Sequence, residues 1–344
     1  MTQNPKIRVG VYGLNGHQIH NALHGHPDAE LAAFAGCDFE RAHPALQPRA
    51  ELQNERAIPE HAGLGGLLED DSVDLVSLCS PRRADQAADA IRCLRAGKHV
   101  LAEKPGAMSE AELDDILAVA EQTGRQFHEM AGTVFAQPYW AARELVRGGE
   151  LGEVVQVFAQ KSYQRRPGER PKDESVDGGL VRQCGIHAVR MIEHISGLRV
   201  ERVEAEETGL GRNENDSDLR MAASLLLRLS NGAVATVVAN YLCPPGFKHW
   251  QNEHFRLFGT NGFVETTDGG TTSAIYLDEG PRGPLDTSAN PPEFFDQYAA
   301  NLRHGRPFVL SLEDELHPLR VVLRAKADAD RRCRRNEYPK TGTI

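Results

Sequence analysis

Ile7-Arg-Val-Gly-Val-Tyr-Gly-Leu-Asn-Gly-His-Gln-Ile19 is the stretch whose reading decides the fold. Ile7 to Tyr12 is a short apolar run of strand length. A glycine-bearing turn follows it, and then a helix expected from about His17. Strand, glycine turn and helix in this order form the context in which a dinucleotide is gripped. Against the pattern G-x-G-x-x-G, Gly13 fills the first place, Asn15 the second and Gln18 the third, with Gly16 one residue off. The second glycine normally lets backbone approach a pyrophosphate, so Asn15 must either tolerate positive φ or offer its side-chain amide. Asp38 closes the second strand about 20 residues further on, where an acid accepts hydrogen bonds from ribose hydroxyls. Phe39 rather than an arginine follows it, so nothing obvious neutralises a 2′-phosphate, and the expected cofactor is NAD rather than NADP. Gly13, Asn15, Gly16, His17, Gln18 and Asp38 are therefore candidate cofactor residues.

Outward from this stretch, strand and helix signals alternate. Leu31–Cys37 and Asp74–Cys79 read as strands, Ala84–Ala96 as a helix closed by Gly97, and His99–Ala102 as another strand. Ser109 and Glu112 form a capping box for a helix reaching Gly124. Such alternation means a parallel sheet covered by helices. Past about residue 125 the pattern changes. Helices are expected over Tyr139–Arg147, Gly179–Ser196 and Leu312–Asp330, and a strand over Val154–Ala159. Asn231-Gly232 and Asn261-Gly262 each sit between apolar runs and read as hairpin turns. The fold class expected is an α/β Rossmann domain over residues 1–125, plus an α+β domain with a mainly antiparallel open sheet over 126–310. A C-terminal helix, 311–335, is expected to pack back on the first domain.

A length of 344 residues suits two domains, and 40% hydrophobic with 26% charged residues suits a globular chain. A net charge of −10 argues against nucleic acid or an anionic membrane surface as partner. Arg331, Arg332, Arg334 and Arg335 read as a solvated last helical turn. The six cysteines include no C-x-x-C pair, which points to a reduced compartment without a metal cluster. With neither an apolar signal core nor a membrane-length run, the expected location is cytoplasmic.

Ala96-Gly-Lys-His-Val-Leu-Ala-Glu-Lys-Pro105 closely resembles the most recognisable segment of the glucose-fructose oxidoreductase/inositol dehydrogenase (Gfo/Idh/MocA) family. Ser80-Pro81 after Asp74–Cys79 resembles its (T/S)P loop. The resemblance implies that Lys104 is the catalytic lysine beside a nicotinamide, with Ser80, Pro81 and Glu103 also at the cofactor. The proline adds a physical reason, since it pushes Lys104 toward extended dihedrals and fixes its direction. Asp177-Gly-Gly-Leu-Val-Arg-Gln-Cys-Gly-Ile-His187 is similar to the family's GG-x-L-x-D-x-G-x-H helix. There His187 is the implied proton donor or acceptor, and Gln183 stands where the family has aspartate. Four residues apart on a helix, the two are expected to be neighbours on one face. Glutamine neither carries charge nor relays a proton, which leaves the acid–base work to His187 and Lys104.

Other family positions differ too. Arg82 and Asp85 follow the Ser-Pro step, and Thr133-Val134-Phe135-Ala136 precedes Pro138. Lys161-Ser-Tyr-Gln-Arg-Arg-Pro-Gly-Glu-Arg-Pro-Lys172 gathers cations before the histidine helix and suggests Tyr163, Arg165 and Arg166 as substrate contacts. Trp250 offers an aromatic wall for a sugar face. Together these imply an NAD-dependent oxidoreductase acting on a secondary hydroxyl of a sugar, cyclitol or derivative. A redox-neutral lyase or glycosidase with tightly bound NAD is the first alternative, and a non-catalytic ligand sensor the second. A homodimer or homotetramer is implied, with the open sheet face of the second domain meeting another subunit.

Overall fold

Val9 and Val11 on β1 (Ile7–Tyr12) are fully buried, as a strand covered on both faces requires. The computed structural model describes residues 5–40, 46–48, 58–165, 170–211, 218–247 and 252–335. Around β1 a parallel sheet assembles from β2 (Ala29–Ala35), β3 (Glu60–His61), β4 (Leu75–Leu78), β5 (His99–Ala102) and β6 (Phe127–Glu129). Its strand order, β3-β2-β1-β4-β5-β6, is that of a Rossmann domain, with the switch of direction between β1 and β4. The unit built on this sheet comprises Met1–Ala131, Ser175–Gly178 and Pro292–Leu316.

The helix expected over Ala84–Ala96 is present at Arg83–Arg95, and the capped helix expected to reach Gly124 at Glu110–Thr123. The Ser109 side chain accepts from the Glu112 amide, and Gly124 ends the second helix in the left-handed conformation. The helix expected from His17 is not. Among the described residues only one 3₁₀ turn, His20–Ala22, follows β1. The reason lies in Gln18, whose amide nitrogen donates to the carbonyls of Tyr12, Gly13 and Ser77 at 3.0, 2.8 and 3.2 Å. A side chain plugged into the strand ends occupies the place where a helix would start.

The second unit comprises Gly132–Glu174, Gly179–Pro291 and His317–Ile344. It holds an eight-stranded sheet made of β7 (Val154–Gln164), β8 (Val200–Thr208), β9 (Ala222–Leu229), β10 (Val234–Cys243), β11 (Asn252–Gly259), β12 (Gly262–Thr267), β13 (Thr272–Leu277) and β14 (Gly280–Gly283). The order is β14-β13-β12-β11-β7-β10-β9-β8, antiparallel except for the β7/β10 pair. One face of the sheet is apolar and closed, with Leu225, Leu227, Val237, Phe255 and Leu257 at most 1% exposed. The helix Ile186–Ser196 packs there, against β7 and β10.

Both Asn-Gly sequences lie between paired strands, but only their glycines carry positive φ, 90° at Gly232 and 151° at Gly262. Asn231 contributes through its side chain, donating to the Val154 carbonyl and accepting from the Ala233 amide. The final helix spans Leu312–Arg335, past the periodic stretch Leu312–Asp330 and within the 311–335 expected of the C-terminal helix. Lys326 on it is buried among Glu174, Glu207 and Asp330 at 2.9, 2.7 and 3.1 Å.

Candidate active site

In the first unit the glycine turn, the Ser80-Pro81 loop and the end of β5 converge at the carboxyl ends of β1, β4 and β5. This is where an open α/β sheet takes its ligands. Gly13 has φ +70°, and a Cβ there would stand 2.1 Å from the Cys79 carbonyl oxygen. Gly16, at φ +145°, lies so close to Arg83 and Glu103 that a Cβ would reach 2.8 Å from each. Asn15 takes neither of the roles expected of it, because its amide is engaged within the protein. Its φ is not positive, and its amide donates to the carbonyls of Pro81 (2.9 Å) and Val176 (2.6 Å).

Glu103 is enclosed, with His17 Nδ1 at 3.0 Å and Lys104 Nζ at 3.8 Å from its Oε1. Burial alone would raise its pKa. His17, followed by Lys104 and Arg83, outweighs burial and brings it down to about 2. Its other oxygen, Oε2, is buried without a hydrogen-bond partner. Lys104 itself is 4% exposed. Ser80 turns away from the turn, its hydroxyl donating to Asp89 at 2.9 Å. Asp38 is exposed beyond the end of β2.

The residue that ties this region together is Arg83, which the sequence reading passed over. It is 2% exposed and donates to the carbonyls of Lys104, Ser80 and Asn15 and to Gln86. Gln86 in turn donates to the carbonyls of Glu103 and Pro105. The available signal was the unusual Arg82-Arg83 pair following Ser-Pro. Two bare glycines at the switch point, a buried carboxylate oxygen without a partner and an acid past β2 suit a dinucleotide held as in Rossmann proteins.

In the second unit every residue of the helix Ile186–Ser196 is buried except His187 and the terminal Ser196. His187 is thus the one accessible side chain in the body of an otherwise enclosed helix. Thr133 Oγ1 lies 3.1 Å from its Nδ1, and Tyr163 Oη 3.1 Å from its Nε2. Gln183 does not sit as the four-residue spacing suggested. It belongs to a π-helical segment, Val181–Gly185, whose wider turn breaks α-helical register ahead of His187. Its Oε1 accepts from Tyr241 Oη at 2.9 Å.

Tyr163 and Tyr241 lie nearly parallel, 6.3 Å between centroids, and the Arg170 guanidinium stands 4.1 Å from the Tyr241 ring and 5.3 Å from the Tyr163 ring. Lys161, counted above with the cationic loop, is instead buried on β7 and paired with Glu253, which also accepts from Tyr139. Arg165 is exposed, while Arg166 and Trp250 lie outside the described residues. Thr133 and Tyr241 join the site from segments distant in sequence, and Arg170 comes from the cationic stretch quoted above, where Arg165 and Arg166 were the expected contacts. Among the described residues no cluster of His, Cys, Asp and Glu is arranged to hold a metal ion, and no helix is long and apolar enough to cross a membrane.

Residues 7–130 match the oxidoreductase family with an NAD-binding Rossmann fold, and residues 139–265 match the GFO/IDH/MocA C-terminal domain. The chain therefore belongs to the Gfo/Idh/MocA family and is an oxidoreductase that uses NAD(P). It is 28% identical to dTDP-3,4-didehydro-2,6-dideoxy-alpha-D-glucose 3-reductase of Actinomadura kijaniata, over 92% of this chain and 90% of that one. Against myo-inositol 2-dehydrogenase of Thermotoga maritima the identity is 26%, over 90% and 92%. Among solved structures, a 3-ketoreductase from Actinomadura kijaniata in complex with NADP superposes with a TM-score of 0.73 at 22% identity, covering 94% of this chain and 98% of that one.

Proposed function

We propose that this protein oxidises a secondary hydroxyl of a sugar, a cyclitol or a derivative of one, or reduces the corresponding ketone, with NAD as its preferred cofactor. The observation that carries the reading is His187, a half-buried imidazole on an otherwise buried helix, beside two tyrosine rings of a size to face a sugar. The cofactor, when bound, accepts or returns the hydride. The Gly13–Gly16 turn would hold its pyrophosphate, Asp38 its adenosine ribose, and Lys104 would stand at its nicotinamide. His187 and Lys104 serve the proton of the substrate oxygen. Arg170, stacked on Tyr241, adds a cation for a substrate bearing a carboxylate or phosphate.

Absorbance of reduced nicotinamide tests this directly, with NAD and NADP each offered against a panel of polyols, cyclitols, sugars and nucleotide sugars. The expected result is turnover with NAD favoured, and a loss of about 10²–10⁴-fold in kcat for His187→Asn. Nucleotide that stays with the purified protein, with product formed but no net change in absorbance, would support the redox-neutral alternative. No turnover and no thermal stabilisation by either nucleotide would overturn the reading.

A further inference from the structure

Both ring nitrogens of His187 are already in contact with side chains of its own unit, Thr133 at Nδ1 and Tyr163 at Nε2, each at 3.1 Å. An imidazole so held has no nitrogen to offer a substrate unless one of these contacts breaks. A phenol hydrogen-bonded to an imidazole still has acceptor capacity on its oxygen. We propose that Tyr163 is the catalytic residue that exchanges a proton with the substrate oxygen, that His187 is its proton partner, and that Thr133 positions His187 by fixing its tautomer. The inference rests on the oxidoreductase function proposed above.

The surroundings of the phenol fit this role. Lys161 Nζ and Arg170 Cζ each lie 5.3 Å from the centroid of the Tyr163 ring. Arg170 brings positive charge to the ring, while the Lys161 charge is offset by its carboxylate partner Glu253. The Lys161 charge is held in place by Glu253, itself bonded to Tyr139, so the cation stays fixed beneath the ring. The Tyr241 ring, whose hydroxyl donates to Gln183, and the His187 ring also lie against Tyr163. Cys184, one turn before His187, donates to the Lys161 carbonyl.

The bonding order is self-consistent in one arrangement. His187 Nδ1–H donates to Thr133 Oγ1, and Nε2 accepts from the Tyr163 hydroxyl. In the oxidative direction the substrate hydroxyl proton passes to Tyr163 Oη as the phenolic proton passes to Nε2. The electron pair of the carbinol C–H bond leaves as hydride for the nicotinamide, so the carbon is oxidised and the nicotinamide reduced. The added proton rests on His187 until solvent takes it, and reduction runs the same steps backward.

Nitrogen-15 NMR of the imidazoles in the cofactor-free protein tests the arrangement without turnover. The expected His187 signals at neutral pH are a protonated Nδ1 and an unprotonated Nε2, and the reverse tautomer overturns the proposal. Tyr163→Phe keeps the ring and removes the oxygen. It is expected to lose about 10²-fold or more in kcat with KM changed by less than about threefold. It should also raise the His187 titration midpoint, because a donor to the neutral imidazole has gone. Thr133→Val is expected to mix the two His187 tautomers and lower kcat with Tyr163 intact. Wild-type kcat in Tyr163→Phe overturns the proposal while leaving the enzyme function standing. Lack of turnover on every alcohol tested, with the assigned tautomer present, rejects the function and leaves the hydrogen-bonded pair. If the phenylalanine variant melts early, the wild-type tautomer decides by itself.

Discussion

Gly13 has little freedom to change. Any Cβ at this position meets the backbone of Cys79 at 2.1 Å, and backbone cannot swing aside as a side chain can. Its φ of +70° adds the cost of a left-handed conformation. Gly13→Ala is expected to lose more than about 2 kcal/mol of stability, seen as a lower urea midpoint, together with nicotinamide nucleotide binding. Lys104 and Glu103 were legible in the sequence because their motif is contiguous, and Gly16 because glycine is conspicuous. Arg83 was not. A buried arginine that bonds backbone carbonyls is written with the same letter as a solvated one, and only its partners reveal it. Thr133, Tyr163 and Tyr241 meet at His187 and Gln183 from three separate segments, and no spacing rule encodes that meeting.

Elements were read best where one physical signal decided them. The apolar runs of β1 and β5 gave Ile7–Tyr12 and His99–Ala102 with their ends in place. The Gly179–Ser196 helix was legible as an apolar stretch, but its π turn was not. Hydrophobic periodicity over so short a segment does not separate one extra residue per turn from none. The helix expected after β1 failed because Gln18 satisfies strand-end carbonyls that a sequence pattern treats as free.

At the start of β5, His99 Nδ1 accepts from the Gln126 amide at the head of β6, and Arg125 lies beside its other nitrogen. Burial first, and then Arg125, lowers its pKa to about 4. A histidine depressed on folding is protonated first in the unfolded chain. Folding stability is therefore lost as pH falls from the ordinary histidine value, about 6.5, toward 4. Melting temperatures of His99→Gln across this window are expected to fall less steeply than those of the wild type. Parallel slopes would remove His99 from the account.

Across the whole molecule the outer face of the eight-stranded sheet stands apart. Its registers align Arg228, Val234, Gln156, Phe258, Phe263 and Tyr276 in one row and place Leu226 and Phe158 in the next. Leu226 is 54% exposed and Tyr276 42%, and the Phe263 and Tyr276 rings stack at 4.8 Å. Apolar side chains left to water on this face, set among Arg228, Gln156, Arg256 and Glu265, are a liability that association relieves. We propose that a second copy covers it, as the family resemblance implied. Light scattering is expected to give a dimer or tetramer for the wild type and a smaller species for Leu226→Lys combined with Tyr276→Lys. A wild-type monomer would refute the assignment.

The path of the chain carries a further consequence. The first unit takes in Pro292–Leu316, and from that segment Glu315 binds His128 and the Glu129 amide, Asp296 meets His26, and Arg303 meets Asp28. When Ala131 leaves the ribosome, the six-stranded sheet still lacks these partners. Roughly 185 more residues must be translated before Leu316 emerges, about 10–40 s at ordinary elongation rates. During that interval the nascent sheet waits with His128 and Glu129 unclasped. It is synthesised well before the segment that completes it.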